Sequence, residues 1–404
     1  MNLPIVVVGA GAAGLLAAIF AAGKGRRVVL LERTKDGGRK ILISGGGRCN
    51  ILPSELDPSR YVTASSTATM RNILRSWPLA DQRRFFEKEL GLTLVLEPET
   101  GKLFPSTNRA RDVRDGLVSL ARRRGVEVRF DSKVTDVTRA GDAWRVHLEG
   151  GEALDAAAVI LTTGGLSVPA TGSDGIGLAI ARRLGHSVNE TYPALTPLTA
   201  DPPVHAPLAG ISPVVTIEAP GTKFRTTGGF LFTHRGYSGP SVLDVSHLAV
   251  RSRLAGEHQA VLVQWTDLDT AGWEAIFSRG GTGTVANVVR KRLPERLADA
   301  LLAEAGVPDD RTLSHLGREE RKRLVPLLAR YPLPWTGDEG YRKAEVTGGG
   351  VALGEIDPRT MESRLHPGLY LAGELLDAFG PIGGYNFVWA WVTGRAAGIA
   401  CSVV

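Results

Sequence analysis

Two cysteines, Cys49 and Cys401, are all that the 404 residues contain. That excludes a disulfide framework. No CxxC pair or Cys/His cluster offers metal-ligand spacing, so no metal is expected. Such cysteine usage fits a reducing compartment, and a cytoplasmic location is expected. No run of about 18 apolar residues is present to span a bilayer, so no membrane association is expected. The apolar N-terminus lacks the charged leader and small-residue cleavage site of a signal peptide. No internal repeat marks a solenoid. The chain exceeds what one hydrophobic core comfortably serves, which implies two domains.

Glycine is abundant. Its 49 copies make up about 12% of the chain, against a usual level of about 7%. They gather near 9–14, 37–47, 348–350 and 373–384, a pattern of backbone held close to something. The formal net charge is +6 and the pI about 9.4. Basic clusters at Arg122–Arg124, Arg290–Arg292 and Arg318–Arg323 are consistent either with a solvated surface or with an anionic partner such as RNA.

Hydrophobic patterning predicts an α/β fold. Residues 4–8 and 27–31 read as buried parallel strands. The Ala/Leu-rich segment from Ala12 to about Gly23 reads as a helix between them, giving a βαβ unit. Helices are expected over 68–90, with a break before Pro78, over 111–124 and over 174–185. Residues 92–106 read as a hairpin. Residues 126–130, 134–139 and 144–149 read as a meander. Residues 157–162 read as another buried strand. Seven prolines between 193 and 220 mark a change of character. From there the expectation is an inserted domain over 193–340, β-rich over 193–267 and helical over 268–340. The remainder, 1–192 with 341–404, forms a discontinuous Rossmann-like domain that ends in a strand at 369–372 and a helix from Phe387 to about Ala400.

Gly9, Gly11 and Gly14 spell GxGxxG between the first strand and the first helix. Alone this is a weak signal; in a βαβ context it marks a dinucleotide site. Gly9 permits the tight turn, Gly11 the approach of pyrophosphate, and Gly14, beside Ala13, the close packing of helix on sheet. The helix N-terminus offers free N–H groups and partial positive charge to phosphate. Glu32 closes the second strand, where a carboxylate accepts from ribose hydroxyls; Arg33 follows it. An acid there repels the 2′-phosphate of NADP.

FAD rather than NAD is indicated by two further segments. The loop 38–50 places Lys40, Ser44, Gly45, Gly46, Arg48 and Asn50 along a cofactor, with Ile41, Leu42 and Ile43 as its apolar anchor. The returning segment supplies Gly373, Glu374 and Asp377 for the ribityl chain. It also supplies Gly384, Tyr385, Asn386 and Phe387 near the isoalloxazine, where a helix N-terminus favours the negative charge of the reduced ring. Val134, Thr163, Gly164 and Gly165 complete the expected cofactor contacts.

GRKILISGGGRCN (38–50), FTHRGYSGPSVL (232–243), AEVTGGGV (344–351) and GLYLAGELLDAFGPIGGYNFVWAWVTG (368–394) together resemble bacterial flavoproteins of the YhiN/BaiN type, over essentially the whole chain. The resemblance implies a Rossmann-like FAD domain with an inserted β-barrel-like and helical domain. It also implies oxidoreductase activity: amine oxidation, reduction of a C=C bond in steroid-like acids, or reduction of uridine in ribosomal RNA. Phe379 and Val388 stand where that family more often carries Asp and Gln.

For a C=C reductase, hydride comes from the flavin and a proton from an acid on the other side. Cys49, with the Arg48 guanidinium favouring its thiolate, is one candidate. His234 and Tyr237, in a Gly/Ser/Pro turn of the inserted domain, are others. Cys401 is expected to be filler. The leading expectation is an NADH- or NADPH-driven FAD reductase of an electron-poor C=C, with ribosomal RNA uridine as substrate. The alternatives are a small-amine oxidase using O₂ and a flavin-loaded RNA-binding protein without turnover. No oligomeric state is read from the sequence.

Overall fold

The computed structural model describes residues 3–22 and 25–403. The chain separates into two compact units, Met1–Pro193 with Glu345–Val404, and Ala194–Ala344.

The first unit is built on five parallel strands. In spatial order they are Leu369–Leu371, Ala158–Leu161, β1 (Ile5–Val8), β2 (Val28–Leu31) and Glu127–Arg129. Their sequences IVVV, VVLL and AVIL are apolar throughout and buried throughout, as strands covered on both faces must be. In chain order the arrangement is 5-4-1-2-3, the doubly wound Rossmann-like order. Its topological switch lies between β1 and Ala158–Leu161, and ligands of such sheets sit beyond the strand C-termini there. Helix α1 (Ala12–Ala21) follows β1; its expected stop at Gly23 lies outside the described residues.

The C-terminal helix, Tyr385–Cys401, begins two residues before the expected start and crosses α1 at very short range. A Cβ placed on Gly394 would come 2.3 Å from the Ala13 carbonyl oxygen, and one on Gly398 2.4 Å from that of Ala17. Small residues four apart on both helices let the backbones touch, which ties the two ends of the chain together at the nucleotide turn.

The expected meander needs correction. Glu127–Arg129 pairs in parallel with β2, because it follows the helix Ala110–Arg123 and a helical crossover returns the chain parallel. The antiparallel meander is Val134–Ala140, Ala143–Leu148 and Ala153–Ala156. Two smaller sheets complete the unit. Leu52–Pro53, Lys102–Pro105 and Leu94–Glu97 form one, and Val188–Ala194 with Val346–Val351 the other. The expected helix over 68–90 is two helices, Thr67–Arg75 and Leu79–Lys88, parted at Pro78.

The second unit has two four-stranded sheets and five helices of six or more residues among the described residues. The division into a β-rich stretch followed by a helical one does not hold in space. A 15-residue helix, Pro240–Leu254, lies inside the β-rich stretch. The strands Tyr331–Pro332 and Gly337–Asp338, from the helical stretch, join the sheets. Both stretches bury side chains in one core around Phe230, Phe232, Trp265, Trp273 and Tyr331. That helix is buried on several sides, so it carried no clean amphipathic signal.

Candidate active site

The glycine turn is shaped by space. A Cβ on Gly9 would come 2.8 Å from Thr162 O, and one on Gly14 only 1.8 Å from Gly9 O. A Cβ on Gly11 would meet nothing within 4 Å. Gly9 and Gly14 are therefore required by the protein itself, while Gly11 faces open space. Helix α1 has no side-chain cap and no acid in its first turn, so its N–H groups and dipole are available to an anion. Thr162 Oγ1 donates to the carbonyls of Val8 (2.8 Å) and Gly9 (2.9 Å), fixing the turn across the switch point. Beside it, Thr163 Oγ1 is buried without a hydrogen-bond partner.

Glu32 is buried, and its carboxylate braces the turn. One oxygen accepts from Ala10 N–H at 2.8 Å, the other from Thr34 N–H and Oγ1, each at 2.8 Å. A carboxylate offers about four lone-pair directions, so capacity for ribose hydroxyls remains. Arg33 is paired with Asp174 and also donates to Gly172 O. Val134 is buried at the start of the meander.

The loop 38–50 is more ordered than expected. Residues Arg39–Ile43 form a short helix, α2, and Ser44–Gly47 a single tight turn. Gly45 and Gly46 hold φ of 56° and 67°, left-handed values that a side chain resists. The expected apolar anchor reduces to Ile41, which is buried, since Ile43 is 53% exposed. Ser44 Oγ is engaged with Ile41 O at 2.7 Å. The loop docks on the glycine turn through Gly38 N–H to Ala10 O at 2.8 Å. Arg114, unnoticed in the sequence, is buried beneath it and donates to the carbonyls of Asp36 (3.0 Å) and Gly37 (3.2 Å).

Lys40 Nζ is the centre of a polar net. It bonds Ser167 Oγ and Glu374 Oε2, the latter at 2.6 Å. Ser167 Oγ reaches Glu374 Oε1 at 2.6 Å, and Thr347 N–H reaches the same oxygen at 3.1 Å. Thr347 Oγ1 in turn accepts from the N–H groups of Leu166 and Ser167. Gly165 sits so close that a Cβ there would come 2.4 Å from Thr347 Oγ1; Gly164 faces Ser173 Oγ at 3.0 Å. The loop after the fourth strand, the returning segment and α2 are thus joined by one set of side chains. Ser167 and Thr347 lay in plain view within GGLS and EVTGGG, but pattern alone did not say that these segments meet.

Several of the expected cofactor residues make contacts within the chain. Asp377 Oδ2 is occupied by Thr63 Oγ1, Ala64 N–H, Ser65 Oγ and Asn189 Nδ2 at 2.7–3.1 Å, so this carboxylate pins the segment 63–65. Asn386 closes its own loop, exchanging two hydrogen bonds with the Gly380 backbone. Tyr385 is buried, with its ring against Tyr61. Gly384 is the left-handed residue before the C-terminal helix. Phe387 stacks on Trp391 at 5.2 Å. Gly373 N–H donates to Thr393 Oγ1, and its carbonyl accepts from Trp389 Nε1, so the C-terminal helix grips that turn. Phe379 and Val388 are both buried, Phe379 with its edge toward Tyr192.

The catalytic candidates fare differently. Cys49 is fully buried, and burial pushes its thiol up to about 12, with the Ser44 hydroxyl pulling the other way. The Arg48 guanidinium turns from it to Glu97 (2.9 Å) and the Phe104 ring (4.1 Å), so the expected thiolate does not form. Tyr237 lies in the core of the second unit, its hydroxyl sharing a hydrogen bond with His205 Nδ1 at 2.8 Å, and burial raises its phenol. His234 is exposed on the turn between Leu231–Thr233 and Gly236–Ser238. These three side chains lie in separate environments.

The open face at Gly11 and the uncapped helix fit an adenine dinucleotide. No group of His, Cys, Asp and Glu suited to a metal occurs among the described residues, and no described helix is long and apolar enough to cross a membrane.

Residues 3–400 match the family model described as the HI0933-like protein Rossmann domain. The chain is 35% identical over 393 residues to the ribosomal RNA dihydrouridine synthase of Escherichia coli (strain K12), covering 96% of this chain and 94% of that one. It is 30% identical over 408 residues to the 3-dehydro-bile acid delta(4,6)-reductase of Clostridium scindens, with 98% of each covered. Among solved structures, the 3-ketosteroid-delta4-(5alpha)-dehydrogenase from Rhodococcus jostii RHA1 shares the fold. Its TM-score is 0.53 at 16% identity, over 99% of this chain and 97% of that one. The open conformation of a flavocytochrome c3 fumarate reductase gives 0.51 at 18% identity, over 100% and 78%. The chain belongs to the HI0933-like Rossmann family of YhiN/BaiN type and is an FAD-dependent oxidoreductase.

Proposed function

We propose that this protein uses a reduced nicotinamide to reduce an electron-poor C=C bond, and that its substrate is a uridine in ribosomal RNA. One observation carries the reading: near-full-length likeness to two curated relatives whose names both describe removal of a double bond in a ring. Of the two, the RNA-modifying relative is the more similar, and the net charge of +6 suits a polyanionic substrate.

Bound FAD supplies the hydride chemistry. The chain's own residues hold it and shape its surroundings. Gly11 would leave the pyrophosphate a close approach to α1, whose free N–H groups and dipole would receive the charge. Glu32 takes the adenosine ribose. Lys40, held by Glu374 and Ser167, fixes a positive charge at the end of the fourth strand. The N-terminus of the Tyr385–Cys401 helix, free of acids and side-chain caps, favours negative charge on the reduced ring.

The test is mass mapping of ribosomal RNA from cells with and without the gene. One uridine should lose the mass of two hydrogens when the gene is deleted, and regain it when purified protein, FAD and a reduced nicotinamide are added. An unchanged map refutes the RNA substrate. Flavin bleached by a small amine but not by NADH or NADPH would favour the oxidase instead.

A further inference from the structure

Four side chains of the second unit, none of them used by the reading above, form one continuous polar chain. His205 precedes the turn Ala206–Leu208. Its half-buried ring sits among Phe232, Tyr237 and Tyr331, with ring centroids at 5.6, 5.8 and 5.6 Å. Nδ1 lies 2.8 Å from Tyr237 Oη, and Nε2 lies 3.1 Å from Tyr331 Oη. Tyr331 Oη donates in turn to Glu304 Oε2 at 3.1 Å, at the exposed end of the chain. Tyr237 stands at the other end, fully buried, and among the described residues its hydroxyl has no second partner.

These contacts are all satisfied in one direction only. Tyr331 gives its single proton to Glu304, so its oxygen is left to accept. Nε2 faces that oxygen and therefore carries the hydrogen of the neutral imidazole. Nδ1 then holds a lone pair, which accepts from Tyr237 O–H. A second proton on the ring breaks this order. Nδ1–H and Tyr237 O–H would both be donors, and the phenol would turn its hydrogen into a core without another acceptor. An unsatisfied buried donor costs its full desolvation. Burial lowers the His205 imidazole and raises the phenols of Tyr237 and Tyr331, so the histidine is the ring of this chain that changes charge as pH falls.

The chain joins segments distant in sequence. Tyr237 lies in the hairpin formed by Leu231–Thr233 and Gly236–Ser238, and Tyr331 opens the strand Tyr331–Pro332. Glu304 lies on the helix Glu295–Ala305, whose Arg296 donates to the Pro207 carbonyl. The titratable and charged groups about the ring are thus the two phenols, the Glu304 carboxylate and, by way of Pro207, the Arg296 guanidinium; Phe232 is apolar. We propose that His205 is a pH-operated latch of the second unit. Neutral, it ties the hairpin to the Tyr331 strand and to the helix Glu295–Ala305. Protonated, it releases Tyr237 and frees the hairpin, whose turn bears the exposed His234 and Arg235. The latch acts within this unit and does not depend on the reaction assigned to the flavin. A histidine lowered in the folded state contributes in full above the free imidazole value of about 6.5, and that contribution is lost as pH falls below it.

The experiment compares FAD-loaded wild type, His205→Gln and Tyr237→Phe. Nitrogen NMR of histidine-labelled protein reads the ring, the His205 signals being those missing from His205→Gln. Above neutral pH they should report Nε2–H with a bare Nδ1, and they should titrate below about 6.5. Amide hydrogen exchange, corrected for its intrinsic rate, reads the hairpin. Opening takes up one proton, so in wild type it should grow by up to about tenfold per pH unit below about 6.5. His205→Gln can donate and accept but cannot titrate, and it should remove that dependence. Tyr237→Phe deletes the hydroxyl that protonation strands, so His205 should titrate higher and the dependence should shrink. This variant keeps the ring and its packing, and it carries the comparison if His205→Gln does not fold. An Nδ1–H tautomer overturns the proposal, as does a wild-type His205 titrating at or above about 6.5. Hairpin exchange with the same pH dependence in wild type and in either variant overturns it as well.

Discussion

Substituting Gly11 and Gly14 separately tests whether the glycine turn is shaped by the ligand or by the protein. At Gly11 the backbone is extended (φ −78°, ψ −168°), which alanine adopts without strain, and the added methyl meets nothing within 4 Å. Exchanging glycine for alanine at a helix N-cap costs about 0.5–1 kcal/mol, while the stiffer unfolded chain returns about 0.4–1 kcal/mol. The FAD-free protein should therefore keep its stability to within about 1 kcal/mol. The methyl would instead hold the pyrophosphate away from the α1 N–H groups. Hydrogen bonds to a charged group are worth about 1.5–3 kcal/mol, so FAD affinity should fall roughly 10- to 100-fold. Gly14→Ala should behave in the opposite way. Its methyl would lie 1.8 Å from Gly9 O and 2.6 Å from Thr162 Oγ1, and a backbone carbonyl cannot swing aside. Overpacking of this kind costs about 1–3 kcal/mol, and helix propensity returns only about 1 kcal/mol. The FAD-free Gly14→Ala protein should thus be less stable before any cofactor is added. Urea denaturation without FAD and fluorescence titration with it measure the two effects. If Gly11→Ala binds FAD like wild type, or destabilises the FAD-free protein as much as Gly14→Ala, the assignment of roles is wrong.

Lys40 and Glu374 are 26% and 18% exposed. Lys40→Met leaves a half-buried carboxylate without its cation and should cost about 1–3 kcal/mol, with a favourable coupling to Glu374→Gln in a double-mutant cycle; zero coupling in urea denaturation would refute the pairing. His247 is buried, and desolvation lowers its imidazole to about 4 despite a hydrogen bond to the Asp244 carbonyl. Because the folded pKa lies below the unfolded one, its contribution is complete above about 6.5 and is lost as pH falls toward 4, on the order of 3 kcal/mol. His247→Leu should flatten that part of the stability profile, and an unchanged slope would count against the assignment. Burial raises both thiols to about 12, so a thiol reagent at mildly alkaline pH should modify neither cysteine in the native chain and both in denaturant; rapid native labelling of Cys49 would contradict its placement.

The nucleotide half of the fold was legible because its signals are local. Two all-apolar runs, a glycine turn between strand and helix, and an acid at the end of the second strand lie within thirty residues. Each has one physical reading there. The glycines at 45–47 and 383–384 likewise announced turns that only glycine enters easily. The helix Pro240–Leu254 and the parallel pairing of Glu127–Arg129 were not legible. Burial on several sides erased the helix's polar face, and a three-residue strand has too few positions to show which neighbour it joins. Arg114 looked like any basic residue on an amphipathic helix, although it clamps the Gly37 carbonyl from below.

The sequence by itself determined that this chain binds an adenine dinucleotide and that its two ends share one domain. Those properties reside in contiguous motifs whose geometry follows from backbone rules. Tertiary structure alone decided which side chains are free to act. Asp377, Asn386 and Arg48 read as ligand-binding residues; Asp377 and Arg48 are engaged by neighbours distant in sequence, and Asn386 by its own loop. Cys49 read as a reactive thiol and is sealed in the core. Hydrogen-bond satisfaction and dehydration are set by residues tens to hundreds of positions away, and a linear pattern carries no record of them.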